Sequence, residues 1–113
     1  MSVEINETIE GGIRTIQVGS RKLDIYNSTA LKDKLLAYLD QDPQKILIDL
    51  EDVEYIDSSG LGAIISTALT AENKGREIRI CNLSEYVNSL FALNNLKDHV
   101  SIFDDADVAK AGW

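Results

Sequence analysis

Cysteine, proline, histidine, methionine and tryptophan each occur once in the 113 residues, and aromatic residues make up only 6% of them. The lone Cys81 excludes an intrachain disulfide and a cysteine cluster for zinc, and it fits a reducing compartment. The lone Pro43 sits in a short turn, and the chain has no linker-like tract, internal repeat or low-complexity segment. No apolar run approaches the ~20 residues needed to span a bilayer. The start of the chain lacks the basic and apolar regions of a signal peptide. Membrane insertion is therefore not expected, and the cytoplasm is the expected location. Positive charge is also scarce, with 11 Lys and Arg against 19 Asp and Glu for a net charge of −8. Nucleic-acid binding needs a basic footprint, so nucleic acid is not an expected partner. An acidic surface suits a partner with a basic face and equally suits plain solubility.

What remains is an ordinary globular composition, 44% hydrophobic and 27% charged. The length suits one domain, residues 1–113, with one modest core. The stretch Ile46 to Gly62 organises the chain. Ile46, Leu47, Ile48 and Leu50 form the short apolar run of a mostly covered strand. A short acidic turn follows, then a helix running through Leu61, Ala63, Ile64, Ile65 and Leu69. Asp57 or Ser58 suits its N-cap, because either side chain can accept a hydrogen bond from a free amide one turn on.

Before this stretch, Val3, Ile5 and Ile9 alternate with polar residues, and Ile13 to Val18 reads as a second strand. Gly11-Gly12 between them predicts an antiparallel hairpin. Gly19 to Asp24 reads as a loop. A helix capped near Asn27 or Ser28 then places Leu31, Leu35, Leu36 and Leu39 on one face, ending at Asp40 to Pro43. After the second helix, Lys74-Gly75 is a stop signal. Glu77 to Asn82 reads as a strand, Ser84 caps a third helix with Val87, Leu90, Phe91 and Leu93 on its apolar side, and Val100 to Phe103 is a short strand. Asp104 to Ala111 forms a last short helix, and Trp113 beyond it reads as an exposed aromatic. Alternating strands and helices predict an α/β fold with a mostly parallel sheet. Gln17, Asp49 and Arg79 sit poorly under helices on both faces, so the helices are expected mainly on one face.

The catalytic signatures are missing. No Gly-x-Ser-x-Gly elbow accompanies His99, no phosphate-binding Gly-x-x-x-x-Gly-Lys-Ser/Thr loop exists, and Gly60-Leu61-Gly62 is only a fragment of a dinucleotide motif. No enzyme activity and no cofactor are expected. Asp49, Glu51, Asp52, Glu54 and Asp57 gather near the strand end. They are read as a solvated acidic loop rather than a magnesium site, since hard-cation ligation needs more than nearby carboxylates, and no metal is expected. Asp57-Ser58-Ser59-Gly60 has two readings. It is a helix cap with a glycine for close packing. It is also a suitable phosphoacceptor, because a phosphoserine adds roughly −1.5 to −2 charge at a helix end that favours anions.

The run Leu50-Glu51-Asp52-Val53-Glu54-Tyr55-Ile56-Asp57-Ser58-Ser59-Gly60-Leu61-Gly62 resembles the signature of STAS domains, in particular the bacterial anti-sigma-factor antagonists. Leu23-Asp24, Gly75 and Leu90-Phe91 fall where that family has similar residues, so the likeness covers nearly the whole chain. It implies a single STAS domain, with a β-hairpin start and then a βα superhelix. It implies partner switching: the free antagonist binds an anti-sigma factor that is a GHKL-type serine kinase, and phosphorylation releases it. A PPM-type phosphatase then restores the serine. ATP and its magnesium belong to the kinase. The family pattern picks Ser58 as acceptor, with Ser59 as the alternative. It implies a docking face of Asp24, Asp57, Ser58, Ser59, Gly60, Leu61 and Gly62, in which Asp57 orients the turn or meets the kinase. Asp24 is expected beside the serine, and Gly60 and Gly62 let the helix start approach the partner. Gly19 to Asp24 looks longer than the family's usual loop, and its Arg21 and Lys22 read as solvated charges. Such chains work as monomers or weak dimers. An alternative within the same resemblance is a constitutive STAS scaffold bound to an ATPase, as in lipid-transport complexes.

Overall fold

The short hydrophobic runs separated by amphipathic stretches build the expected layered arrangement. The computed structural model describes residues 3–113. Its strands are β1 (Ile5–Glu10), β2 (Ile13–Val18), β3 (Lys22–Leu23), β4 (Lys45–Asp49), β5 (Tyr55–Ile56), β6 (Glu77–Cys81) and β7 (Ser101–Phe103). Its helices are α1 (Ser28–Tyr38), α2 (Ser58–Asn73), α3 (Glu85–Leu93) and α4 (Ala106–Lys110), with a 3₁₀ turn at Leu96–Asp98. One sheet has the order β1-β2-β4-β6-β7. β1 and β2 are antiparallel, and every later neighbour in it is parallel. Gly11 and Gly12 both hold positive φ, as the two-residue I′ hairpin turn requires.

Helices α1, α2 and α3 cover one face. Ile16, Val18, Ile46, Ile48, Ile78 and Ile80 meet Leu31, Leu35, Leu39, Ile64, Ala68, Val87 and Phe91 in one buried cluster. Leu31, Leu35 and Leu39 are each 1% exposed or less, and burial of such a side chain is worth about 1.5–3 kcal/mol. Two residues read as apolar-face positions lie outside this core. Leu69 is 42% exposed and Leu93 is 77% exposed, because α2 and α3 turn those positions away from the sheet.

The second face carries a smaller cluster of Ile13, Leu47, Cys81 and Ala109, with Phe103 and Trp113 against it. This resolves the awkward Arg79. Its guanidinium lies over the rings of Phe103 and Trp113, at 5.1 and 4.6 Å, and donates to the Ala109 carbonyl at 2.7 Å. Trp113 is therefore a half-buried lid on a cation, not the exposed aromatic expected.

The segment read as a loop, Gly19 to Asp24, holds strand β3, and the acidic turn before Asp57 holds β5. The two pair in parallel, Lys22 with Tyr55 and Leu23 with Ile56. Two-residue strands are too short to show a period of two, so the sequence pattern misses them. Arg21 is half of this junction: its carbonyl accepts from the Glu54 and Tyr55 amides, and its side chain pairs with Glu54. That contact holds the Glu54 carboxyl below its ordinary range. The two charges are exposed, but they bridge β3 and β5 rather than standing free in solvent.

Cys81 is fully buried. Burial, followed by the nearby Asp49 charge, pushes its thiol up to about 12. Native protein at pH 8 is accordingly expected to resist a thiol reagent such as dithionitrobenzoate until denaturant is added. Rapid labelling of the folded protein would contradict the packing of the second face. The folded-state thiol titrates above the unfolded one, so this group's contribution is full below about pH 8.5 and is lost as pH rises towards 12.

Candidate functional site

Strand β5 delivers the chain directly into α2, and the junction is fixed by one carboxylate. Asp57 is the N-cap, with extended backbone. Its Oδ1 accepts from the Gly60 amide at 2.9 Å, satisfying one of the free donors of the first turn. Its Oδ2 accepts from the Ile25 amide at 3.2 Å, in the loop between β3 and α1. The Asp57 amide in turn donates to the Leu23 carbonyl at 3.0 Å. Asp57 therefore orients the turn.

The facing loop is equally tied. Asp24 accepts from the Tyr26 amide at 3.0 Å. Asn27, at the cap position of α1, makes no cap bond to that helix. Its side chain instead accepts from the Asp24 amide at 2.9 Å and donates to the Lys22 carbonyl at 2.8 Å. The Asp24 carboxylate thus turns to its own loop, and it is the next residue, Ile25, whose amide meets the serine turn at Asp57.

The expected docking residues divide by exposure. Ser58 and Gly62 are exposed, Asp24, Asp57 and Ser59 are half-buried, and Gly60 and Leu61 are buried. Leu61 is 7% exposed and belongs to the main core. Gly60 faces this chain rather than solvent. A Cβ there would lie 2.5 Å from the Leu23 carbonyl oxygen and 2.9 Å from the Leu23 Cβ. The glycine is needed so that α2 can rest on β3, which corrects the expectation that it eases approach of a partner. A Cβ on Gly62 would meet nothing within 4 Å. Ser59 lines a groove of about 180 Å³ with Ser28, Thr29, Lys32, Gly62 and Ala63.

Four exposed apolar side chains flank the turn and were not singled out by sequence reading. Ile25 and Tyr26 are 69% and 71% exposed, and Tyr55 and Tyr86 are 43% and 46% exposed. The Tyr55 and Tyr86 rings stack at 6.1 Å between centroids and 13° between planes. The Tyr86 hydroxyl donates to the Ile56 carbonyl at 3.4 Å, fastening α3 to β5. A usable signal did exist: Ile25-Tyr26 is a large apolar pair in a loop, off the helical stripe of Leu31 and Leu35.

The acidic residues before the turn go separate ways. Asp49 accepts from the Glu51 amide and from Asn82, Asp52 lies 3.5 Å from the Gln17 amide nitrogen, and Glu54 takes Arg21. Among the described residues no three His, Cys, Asp or Glu side chains group to hold a metal ion. His99 hydrogen-bonds Glu72 at 2.7 Å. Glu72 is in the last turn of α2, about 21 Å along the helix from Ser58 at 1.5 Å per residue. Ser58 therefore has no imidazole base within reach.

The two glycines make opposite predictions. Gly60→Ala is expected to lower stability by about 1–3 kcal/mol, the range for overpacking. Gly62→Ala is expected to raise it by up to about 1 kcal/mol, as alanine replaces glycine inside a helix. Urea denaturation of both variants checks this, and similar effects at the two positions would contradict the placement.

The STAS domain family model matches residues 4–109. An anti-sigma-B factor antagonist of Bacillus subtilis is 33% identical over 101 residues, covering 88% of this chain and 92% of its own. The structure of an anti-sigma factor antagonist from Mycobacterium paratuberculosis superposes with a TM-score of 0.83 at 19% identity, covering 95% of this chain and 90% of that one. The Bacillus cell fate determinant SpoIIAA, an anti-sigma factor antagonist, matches in both its unphosphorylated and its phosphorylated form. The TM-score is 0.71 in each case, at 16% and 17% identity, covering 94% of this chain and 91% or 93% of those chains. With the family model spanning nearly all of its length, this chain belongs to the STAS domain family.

Proposed function

We propose that this chain is an anti-sigma factor antagonist whose docking is switched by phosphate on Ser58. While the hydroxyl is free, the turn binds an anti-sigma factor that is also a GHKL-type serine kinase. The kinase moves the γ-phosphoryl group of ATP to the Ser58 oxygen, ADP leaves, and the hydroxyl proton is lost. The complex then separates. A PPM-type phosphatase hydrolyses the ester and returns inorganic phosphate and the free serine.

The observation that carries this reading is the exposure of Ser58 in the first turn of α2, one residue from a carboxylate that is already engaged. A phosphoserine here adds roughly −1.5 to −2 charge to an existing anion. The helix N-terminus offsets part of that cost within the fold. A partner that must dry the turn in order to dock meets the full cost of desolvating a dianion. Ser59 is the poorer acceptor because it is half-buried in the groove between α1 and α2. The Bacillus subtilis relative is named an anti-sigma-B factor antagonist, and SpoIIAA is described in a phosphorylated form. The first supports the antagonist role, and the second supports phosphorylation as its control.

Incubation with the GHKL-type kinases of the host and ATP, followed by peptide mass spectrometry, is expected to place one phosphate on Ser58. No modification at Ser58, or phosphate at Ser59 alone, would contradict the assignment. Ser58→Asp is expected to weaken binding to the same kinase while the melting temperature stays within a few degrees, since an exposed substitution disturbs little packing.

A further inference from the structure

Four of the eight large exposed hydrophobic side chains among the described residues, Ile25, Tyr26, Tyr55 and Tyr86, belong to segments joined to the Ser58 turn. Three separate segments supply them: the loop held by Asp57, strand β5, and the first turn of α3. Apolar side chains scattered singly over a surface need no explanation, but a cluster on converging segments marks an interaction site.

Tyr55 and Tyr86 are already ordered. Their rings are stacked in an offset, nearly parallel pair, and the Tyr86 hydroxyl is fixed on the Ile56 carbonyl. A side chain held in place before binding loses little rotamer entropy on docking, and tyrosine is a common anchor at the centre of interfaces. The turn just before Tyr55 is acidic. Glu51, Asp52 and Glu54 are exposed there, and among the described residues only Glu54 is paired with a cation, Arg21. The combination is an aromatic pair with an acidic fringe, continuous with the phosphate switch.

We propose that the stacked Tyr55–Tyr86 pair anchors the anti-sigma factor, entering an apolar pocket on that partner which is rimmed by lysine or arginine. This rests on the reading of the chain as an antagonist and adds the chemistry of the surface it selects. The pair decides which partner fits, and the serine beside it decides when. Charge at the fringe speeds encounter and disfavours acidic competitors. A phosphate added at Ser58 places a hydrated dianion at the edge of a contact that must be dry to hold.

The test uses the kinase that phosphorylates Ser58 in the mass-spectrometric assay, with affinities measured by calorimetry on the full chain. Tyr86→Ala is expected to weaken binding about 30-fold or more, the fold-change for loss of a central aromatic anchor. Tyr86→Phe, which keeps the ring and its stacking on Tyr55, is expected to bind within about threefold of the original, since at 3.4 Å the hydrogen bond to the Ile56 carbonyl is at the long limit of such a contact. Leu93→Ser, at the far end of α3, is expected to leave affinity unchanged. Melting temperatures of all three separate lost contact from lost fold. Glu51→Lys with Asp52→Lys is expected to slow association and flatten its dependence on salt. If the original chain binds the kinase and Tyr86→Ala binds equally well while folded, the anchor is overturned and the antagonist reading stands. If the original chain neither binds nor is phosphorylated by any host GHKL-type kinase, both are overturned.

Discussion

The two oxygens of the Asp57 carboxylate hold the functional end of the molecule together. One caps α2 through Gly60, and the other ties down the loop at Ile25. Around this point the chain makes a close contact that tolerates no side chain, Gly60 against Leu23. The short strand pair β3–β5 completes the frame. Each part depends on the next. Without the glycine, α2 stands off from β3. Without that contact, the Ile25 amide no longer meets the carboxylate, and the serine loses its fixed place.

On the proposed reading, this arrangement separates stability from signalling. The core lies between the large sheet and α1 to α3, and it reaches the serine's own helix at Leu61. Ser58 itself projects into solvent. A phosphate there, as proposed, stands on the solvent side, away from the core and from the two Asp57 hydrogen bonds. The consequences fall on whatever docks. The surrounding surface suits the proposed role, being apolar at Ile25, Tyr26, Tyr55 and Tyr86 and acidic beyond.

Much of this was legible in residue order. The hydrophobic runs Ile46 to Leu50 and Glu77 to Asn82 marked the central strands, and Leu31, Leu35 and Leu39 marked a helix with one buried face. The polar residues Gln17, Asp49 and Arg79 pointed to helices mainly on one face, where α1 to α3 lie, although Arg79 itself is covered by α4 on the other. The covering of the other face was not legible: Trp113 lies far in sequence from Arg79, and only the packed chain brings its ring over the cation. At the site, Asp57 and Gly60 were identifiable as residue types suited to a cap and a close approach. What each approaches depends on β3 and β5, pairings of two residues that leave no periodic trace. The aromatic pair was hidden for a similar reason, since Tyr55 and Tyr86 are neighbours only across the β5–α3 junction.

The central claim is that phosphate acts on the docking surface and leaves the frame as it is. Backbone amide spectra of the chain before and after stoichiometric phosphorylation test it most directly. Chemical-shift changes are expected to be confined to residues 23–26, 55–62 and the neighbourhood of Tyr86, with unchanged hydrogen exchange across β2, β4 and β6. Changes spreading through those strands, or loss of protection at the Gly60 and Ile25 amides, would contradict it by showing that the modification works through the fold.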